Sequence, residues 1–102
     1  MKKIINGKKY DTETAKLLVS EGNGLGHRDF SYCEETLYQK RTGEFFLYGE
    51  GGPMTKYAQR VDMNSWSGGE RIIPITDDEA RRWAEKHASV DAYERIFGEA
   101  EE

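Results

Sequence analysis

Residues 34–49 read Glu34-Glu-Thr-Leu-Tyr-Gln-Lys-Arg-Thr-Gly-Glu-Phe-Phe-Leu-Tyr-Gly49, two patterned runs either side of Arg41-Thr42-Gly43. In the first run Leu37 alternates with Glu35 and Gln39. In the second, Phe45 and Leu47 share one face and Phe46 and Tyr48 the other. Gly43 suits the left-handed position of a short bulged loop, so the runs form a hairpin. A strand apolar on both faces is central and covered on both sides. An antiparallel sheet with material packed on each face follows, which is an α+β arrangement.

Working outward, Lys2–Tyr10 reads as a second hairpin, because Asn6-Gly7 accepts the positive φ values of a type I′ turn. Asp11 or Thr12 then caps a short helix over Thr14–Ser20, with Ala15, Leu18 and Val19 on one stripe and Gly22 as its stop. Glu21–Asp29 holds three glycines and little periodicity and reads as a loop. Beyond the central strand, Gly49, Gly51 and Gly52 let the chain leave sharply before Pro53. They do not make a phosphate loop: Pro53 has no N–H, Glu50 has the wrong charge, and the Gly-Lys-Ser/Thr order is missing.

Residues 54–70 admit either a helical turn through Tyr57, Arg60 and Val61 or an irregular crossing that buries Trp66. Gly68-Gly69 then turns into a strand at Arg71–Thr76, where Pro74 belongs near an edge or a strand end. Thr76-Asp77-Asp78-Glu79 is a capping box opening a helix whose Ala80, Trp83, Ala84, His87 and Ala88 face the sheet. Ser89 or Asp91 starts a second helix with Val90, Tyr93, Ile96 and Phe97 inward and Gly98 at its end. Glu99–Glu102 forms a frayed acidic tail. The expected fold is one domain over residues 1–102: an antiparallel sheet of four or five strands, an N-terminal hairpin, one short helix after it, and two C-terminal helices on the sheet.

The chain has 102 residues, 36% hydrophobic and 33% charged, so its core is thin and its aromatic residues supply much of the buried area. Cys33 is the one cysteine and cannot form an internal disulfide. No stretch is long enough to span a bilayer, and the head MKKIINGKKYD has no signal-peptide core, so a reducing cytoplasm is expected. The net charge of −4 is unevenly spread. Residues 1–20 carry five lysines against Asp11 and Glu13, whereas residues 61–102 carry eleven acids against five bases.

Little in this inventory supports catalysis. His27, His87 and Cys33 have no repeated metal-ligand spacing, and His87 lies on the apolar face of a helix. Glu34 and Glu35 disfavour a thiolate at Cys33, which reads as a structural residue. Glu34-Glu35 point opposite ways on a strand and Asp77-Asp78 serve a helix start, so neither is an acid/base pair. No cofactor or metal is expected. Lys2, Lys3, Lys8, Lys9 and Lys16, with Tyr10 nearby, form a basic patch that either protects a sheet edge or contacts nucleic-acid phosphates.

Four segments together resemble a family of small proteins carried by phages and other mobile elements of Gram-positive bacteria. They are KKIINGKKYDTETAK (2–16), EETLYQKRTGEFFLYGEGGPMTKYA (34–58), NSWSGGERIIPIT (64–76) and DDEARRWAEKH (77–87). None is a catalytic motif. Some proteins of this kind resemble anti-CRISPR proteins, inhibitors of the type II RNA-guided DNA nuclease. The resemblance implies a non-enzymatic inhibitor acting in the bacterial host cell, as a monomer or homodimer, on assembly of the nuclease with its guide RNA. Such a nuclease holds nucleic acid in positively charged channels. The acids Asp77, Asp78, Glu85, Asp91, Glu94, Glu99, Glu101 and Glu102 would then meet the nuclease. The alternative is an accessory protein of a mobile element that binds nucleic acid through the lysine hairpin.

Overall fold

The computed structural model describes residues 1–101; Glu102 of the acidic tail lies outside the described residues. Two short strands, β1 (Lys2–Ile5) and β2 (Lys8–Asp11), pair about Asn6 and Gly7, whose φ angles of 52° and 77° are those a type I′ turn requires. The chain continues into β3 (Lys16–Gly22), then β4 (Cys33–Gln39) and β5 (Phe45–Gly51). A two-stranded ribbon, β6 (Gln59–Arg60) with β7 (Trp66–Ser67), precedes β8 (Gly69–Ile75). Two helices close the fold, α1 (Asp77–His87) and α2 (Val90–Phe97).

The main sheet has the order β3-β4-β5-β8 and is antiparallel throughout. Its interior strand β5 carries two cores because its side chains alternate. Phe45 and Leu47 join Leu37 and Ala80 under the helices, with Trp83, Ile96 and Phe97 packed against them. Phe46 joins Tyr10 and Ile72 on the other face, under the N-terminal hairpin. There the Tyr38 ring stacks on Phe46 at 5.2 Å and the Tyr10 ring meets it edge-on at 5.5 Å. Phe46 and Leu37 are fully buried, each worth roughly 1.5–3 kcal/mol relative to exposure. The hairpin remains a ribbon of its own, apart from the main sheet.

The helix expected over Thr14–Ser20 is instead β3. Asp11 accepts a hydrogen bond from the Glu13 amide, and the Ala15 amide donates to the Asp11 carbonyl, so the capping residues make a turn between strands. A register shift between Leu17 and Val19 lets the consecutive Leu18 and Val19 both pack in the helix-side core. Ala15 packs in the opposite core. The apparent helical stripe was therefore a bulged strand.

Three other expectations change. Gly49 and Gly51 lie within β5 at ordinary φ, so close packing and not a sharp exit demands glycine: a Cβ on Gly49 would fall inside the Tyr57 ring. Trp66, expected to be buried, is 57% exposed, and the buried aromatic of this segment is Tyr57. Val90 is 73% exposed, because Ser89 caps α2 and leaves Val90 on the open side of its first turn, while Ala92 is buried in its stead. The capping box formed as expected, with the Thr76 hydroxyl accepting from the Glu79 amide and the Glu79 carboxylate from the Thr76 amide. Among the described residues no helix is long and apolar enough to cross a membrane.

Candidate functional site

Strand register places Glu34 directly opposite Glu50, and Glu50 directly opposite Glu70. Alternation sends all three to the face that carries Phe46, at the far end from the hairpin. The hairpin covers one half of this face, and the three carboxylates stand in a row across the other. Like charges directly opposite one another on adjacent strands destabilise a sheet.

Tyrosine hydroxyls tie the row together. The Tyr32 hydroxyl lies 2.8 Å from Glu50 Oε1 and 3.0 Å from Glu34 Oε2, with His27 Nε2 2.8 Å away on its third side. The Tyr48 hydroxyl bonds Glu70 and lies 3.3 Å from Glu50 Oε2. Burial first, then the bonds to the glutamates, hold both phenols well above their usual range, so each stays a proton donor. Two phenolic protons serve three carboxylates. The other strand glutamates contrast with this: Glu35 meets Lys56 Nζ at 2.8 Å and Glu21 meets His87. Glu44, just before β5, meets both Lys8 and Lys40. Among the described residues no Lys or Arg lies in ion-pair range of Glu34, Glu50 or Glu70; the His27 ring nitrogen Nε2 stands 3.8 Å from Glu50.

An open cleft of about 510 Å³ lies at this end of the sheet, lined by His27, Tyr32, Glu50, Glu70 and the backbone of Gly51–Pro53 and Gly68–Gly69. Glycine is needed where the walls meet: a Cβ on Gly52 would press on the Phe30 carbonyl and one on Gly68 on the Gly51 carbonyl. The ligand atoms of His27, Glu34 and Glu50 all lie within 4.8 Å of one another, a set able to hold a divalent cation. The Tyr32 hydroxyl, bonded to all three, sits where such an ion would have to enter.

On the opposite face Glu35 is a structural hub. It accepts hydrogen bonds from the Tyr57 hydroxyl and Trp83 Nε1 and pairs with Lys56. Burial pushes its carboxyl up, but the bonds from Lys56 and Tyr57 outweigh it and leave the group below the usual carboxylate range. Burial and the Glu35 charge push the nearby Cys33 thiol up, which works against thiolate chemistry.

The acids expected to act are spread along the two helices and the segment that follows them. Asp77 and Asp78 sit in the first turn of α1, and Glu85 lies two turns on, about 12 Å along the axis. Glu85 and Glu94 share a shallow pocket between the helices with Ala100, whose amide donates to Glu94. Asp91 is in the first turn of α2, and Glu99 and Glu101 follow its end. Arg81, Arg82 and Lys86 intervene among these acids. Lys2, Lys3, Lys9 and Lys16 are exposed, whereas Lys8 is drawn to Glu44 at 3.0 Å. The row of Glu34, Glu50 and Glu70 was missed because it depends on the register of three strands, although the outward parity of each glutamate was readable. No protein-family model, curated protein or solved structure matches the chain.

Proposed function

We propose that the chain is a non-catalytic inhibitor of a type II RNA-guided DNA nuclease, an anti-CRISPR protein that binds the enzyme and interferes with guide-RNA assembly or nucleic-acid loading in the bacterial host. The observation that carries this reading is the row of Glu34, Glu50 and Glu70, three carboxylates with no Lys or Arg in ion-pair range among the described residues. Basic channels that hold RNA and DNA are complementary to such a row, and burying it against them would supply the missing cations. The helix acids Asp77, Asp78, Glu85, Asp91 and Glu94 and the tail acids Glu99 and Glu101 belong to the helical layer on the opposite face of the sheet and add to the long-range negative field that steers encounter.

One observation favours a second reading, a nucleic-acid-binding accessory protein. Lys9 shares a pocket of about 270 Å³ with Lys40 and Arg41 beside the exposed lysines of the hairpin. Mobility-shift assays of guide RNA with the chain alone, the nuclease alone, and both in each order of addition separate the two. A protein-directed inhibitor leaves free RNA unshifted and blocks nuclease–RNA assembly when added first. A shift of free RNA that fades steeply with salt supports the second reading and overturns the first.

A further inference from the structure

Among the described residues no strand lies beyond β3 or β8, so each of these outer strands has one row of backbone groups without a strand beside it. Alternation tells which residues stand in those rows. The Asn23 amide donates to the Cys33 carbonyl, the Gly52 amide to Tyr32 and the Lys40 amide to Glu44, so odd-numbered residues of β4 bond β3 and even-numbered ones bond β5. On β3 the residues opposite even-numbered positions therefore turn amide and carbonyl outward: Leu17 opposite Tyr38, Ser20 opposite Thr36 and Gly22 opposite Glu34. The same alternation on β8 gives Glu70, Ile72 and Pro74. The β8 row is blunted, because Pro74 has no N–H to give and Glu70 adds a charge. The β3 row has neither proline nor charge, and its Leu17 is 54% exposed.

The bulge decides what can pair there. Leu18 and Val19 both fall between Leu17 and Ser20, so these outward positions stand three residues apart where a regular strand spaces them by two. A regular strand loses register at that point. A second β3 running antiparallel keeps it, because it carries the same extra residue.

We propose that two copies of the chain join through β3, antiparallel about a two-fold axis between Leu18 and Val19, so that the two main sheets become one. Leu17 of each copy pairs with Ser20 of the other through the outward amides and carbonyls, a strand addition that is the same from both sides. The side-chain faces agree in this register. Leu17 and Ser20 lie on the hairpin side with Tyr38 and Thr36, whereas Leu18 and Val19 meet across the axis on the helix side. Lys16 of each copy then stands opposite Glu21 of the other, at a position not bonded through the backbone, where facing side chains come closest. Glu21 meets His87 through Oε2, which leaves Oε1 for the lysine. This charge complementarity and the matched bulge choose a second copy over an unrelated strand. The assembly goes beyond the inhibitor reading and does not depend on it.

The test is sedimentation velocity of the full chain over a dilution series, with Lys16→Glu, Glu21→Lys and an equimolar mixture of the two. Either substitution alone sets like charges opposite one another across the axis, whereas the mixture pairs a copy with acids at both positions against a copy with lysines at both. The native mass should rise from one chain toward two, stay at one chain in each variant, and rise again in the mixture. Hydrogen exchange on the native chain reads the same edge without substitution. The Leu17 and Ser20 amides should slow at least about fivefold with rising concentration, while Val19 and Glu21, which face β4, and Ile72 on β8 stay unchanged. A native chain that remains single up to about 1 mM, a dimer that survives both variants, a mixture that fails to recover it, or slowing at Ile72 in place of Leu17 and Ser20 would each overturn the proposal. If a variant does not unfold cooperatively, the exchange result on the native chain decides.

Discussion

Glu35 shows how one charged side chain can organise a face of the sheet. It is buried, and three donors from two parts of the chain converge on it: Lys56 and Tyr57 from the connection after β5, and Trp83 from α1. Replacing it with alanine leaves the buried Tyr57 hydroxyl without its acceptor and should cost about 2–3 kcal/mol in urea unfolding. Lys56 is more than half exposed, so solvent screens its part and the two neutral donors account for most of the loss. Because the folded carboxyl titrates below its unfolded value, its contribution is complete above that unfolded value and is lost as pH falls through the folded one. Stability should therefore decline on acidification below about pH 4.5, and less steeply in Glu35→Gln than in the native chain. Gly49 is the complementary case, conformationally ordinary but pressed by the Tyr57 ring. Gly49→Ala should cost about 1–3 kcal/mol, and in a Tyr57→Ala background the same change should add almost nothing, which a double-mutant cycle reads directly. Alternation made it legible that Glu35 lies on the side of Leu37. That its acceptor role waits for Tyr57, 22 residues away, was not legible, because no local pattern encodes that approach.

Elements were readable where local chemistry and tertiary packing agree. The capping box at Thr76–Glu79 and the stripe behind it gave α1, and the alternation of β5 gave a central strand with two cores. Thr76→Ala should destabilise the fold by about 1 kcal/mol, seen as a lower urea midpoint with unchanged slope. β3 was misread because a bulge brings Leu18 and Val19 to one side, imitating helical spacing, and because its partner β4 lies beyond the loop of residues 23–32. The β6–β7 ribbon was unreadable for a related reason. Its strands are two residues each, too short for any period to show, and its tryptophan faces outward.

Across the whole molecule, charge is sorted by position. Lys8 meets Glu44 just before β5 begins, and Glu50 sits six residues further on, so the basic hairpin and the glutamate row are separated by roughly 20 Å along the strand. Composition revealed a basic head and an acidic tail, but not the three glutamates on the sheet, which register alone brings side by side. The row carries its own like-charge repulsion across three strands. Glu50→Gln, which relieves repulsion from both neighbours, should raise stability by about 0.2–1 kcal/mol in urea unfolding while weakening partner binding. Equal or lower stability would mean that the tyrosine bonds already offset the repulsion.

The most direct test of the inhibitor reading is equilibrium binding of the labelled chain to guide-free nuclease and, in parallel, to bare guide RNA at physiological salt. Saturable binding to the nuclease, weakened by Glu34→Gln/Glu50→Gln/Glu70→Gln and unaffected by neutralising Lys2, Lys3, Lys9 and Lys16, with no binding to RNA, is the predicted result. Binding to RNA that depends on those lysines, with none to the nuclease, would contradict it.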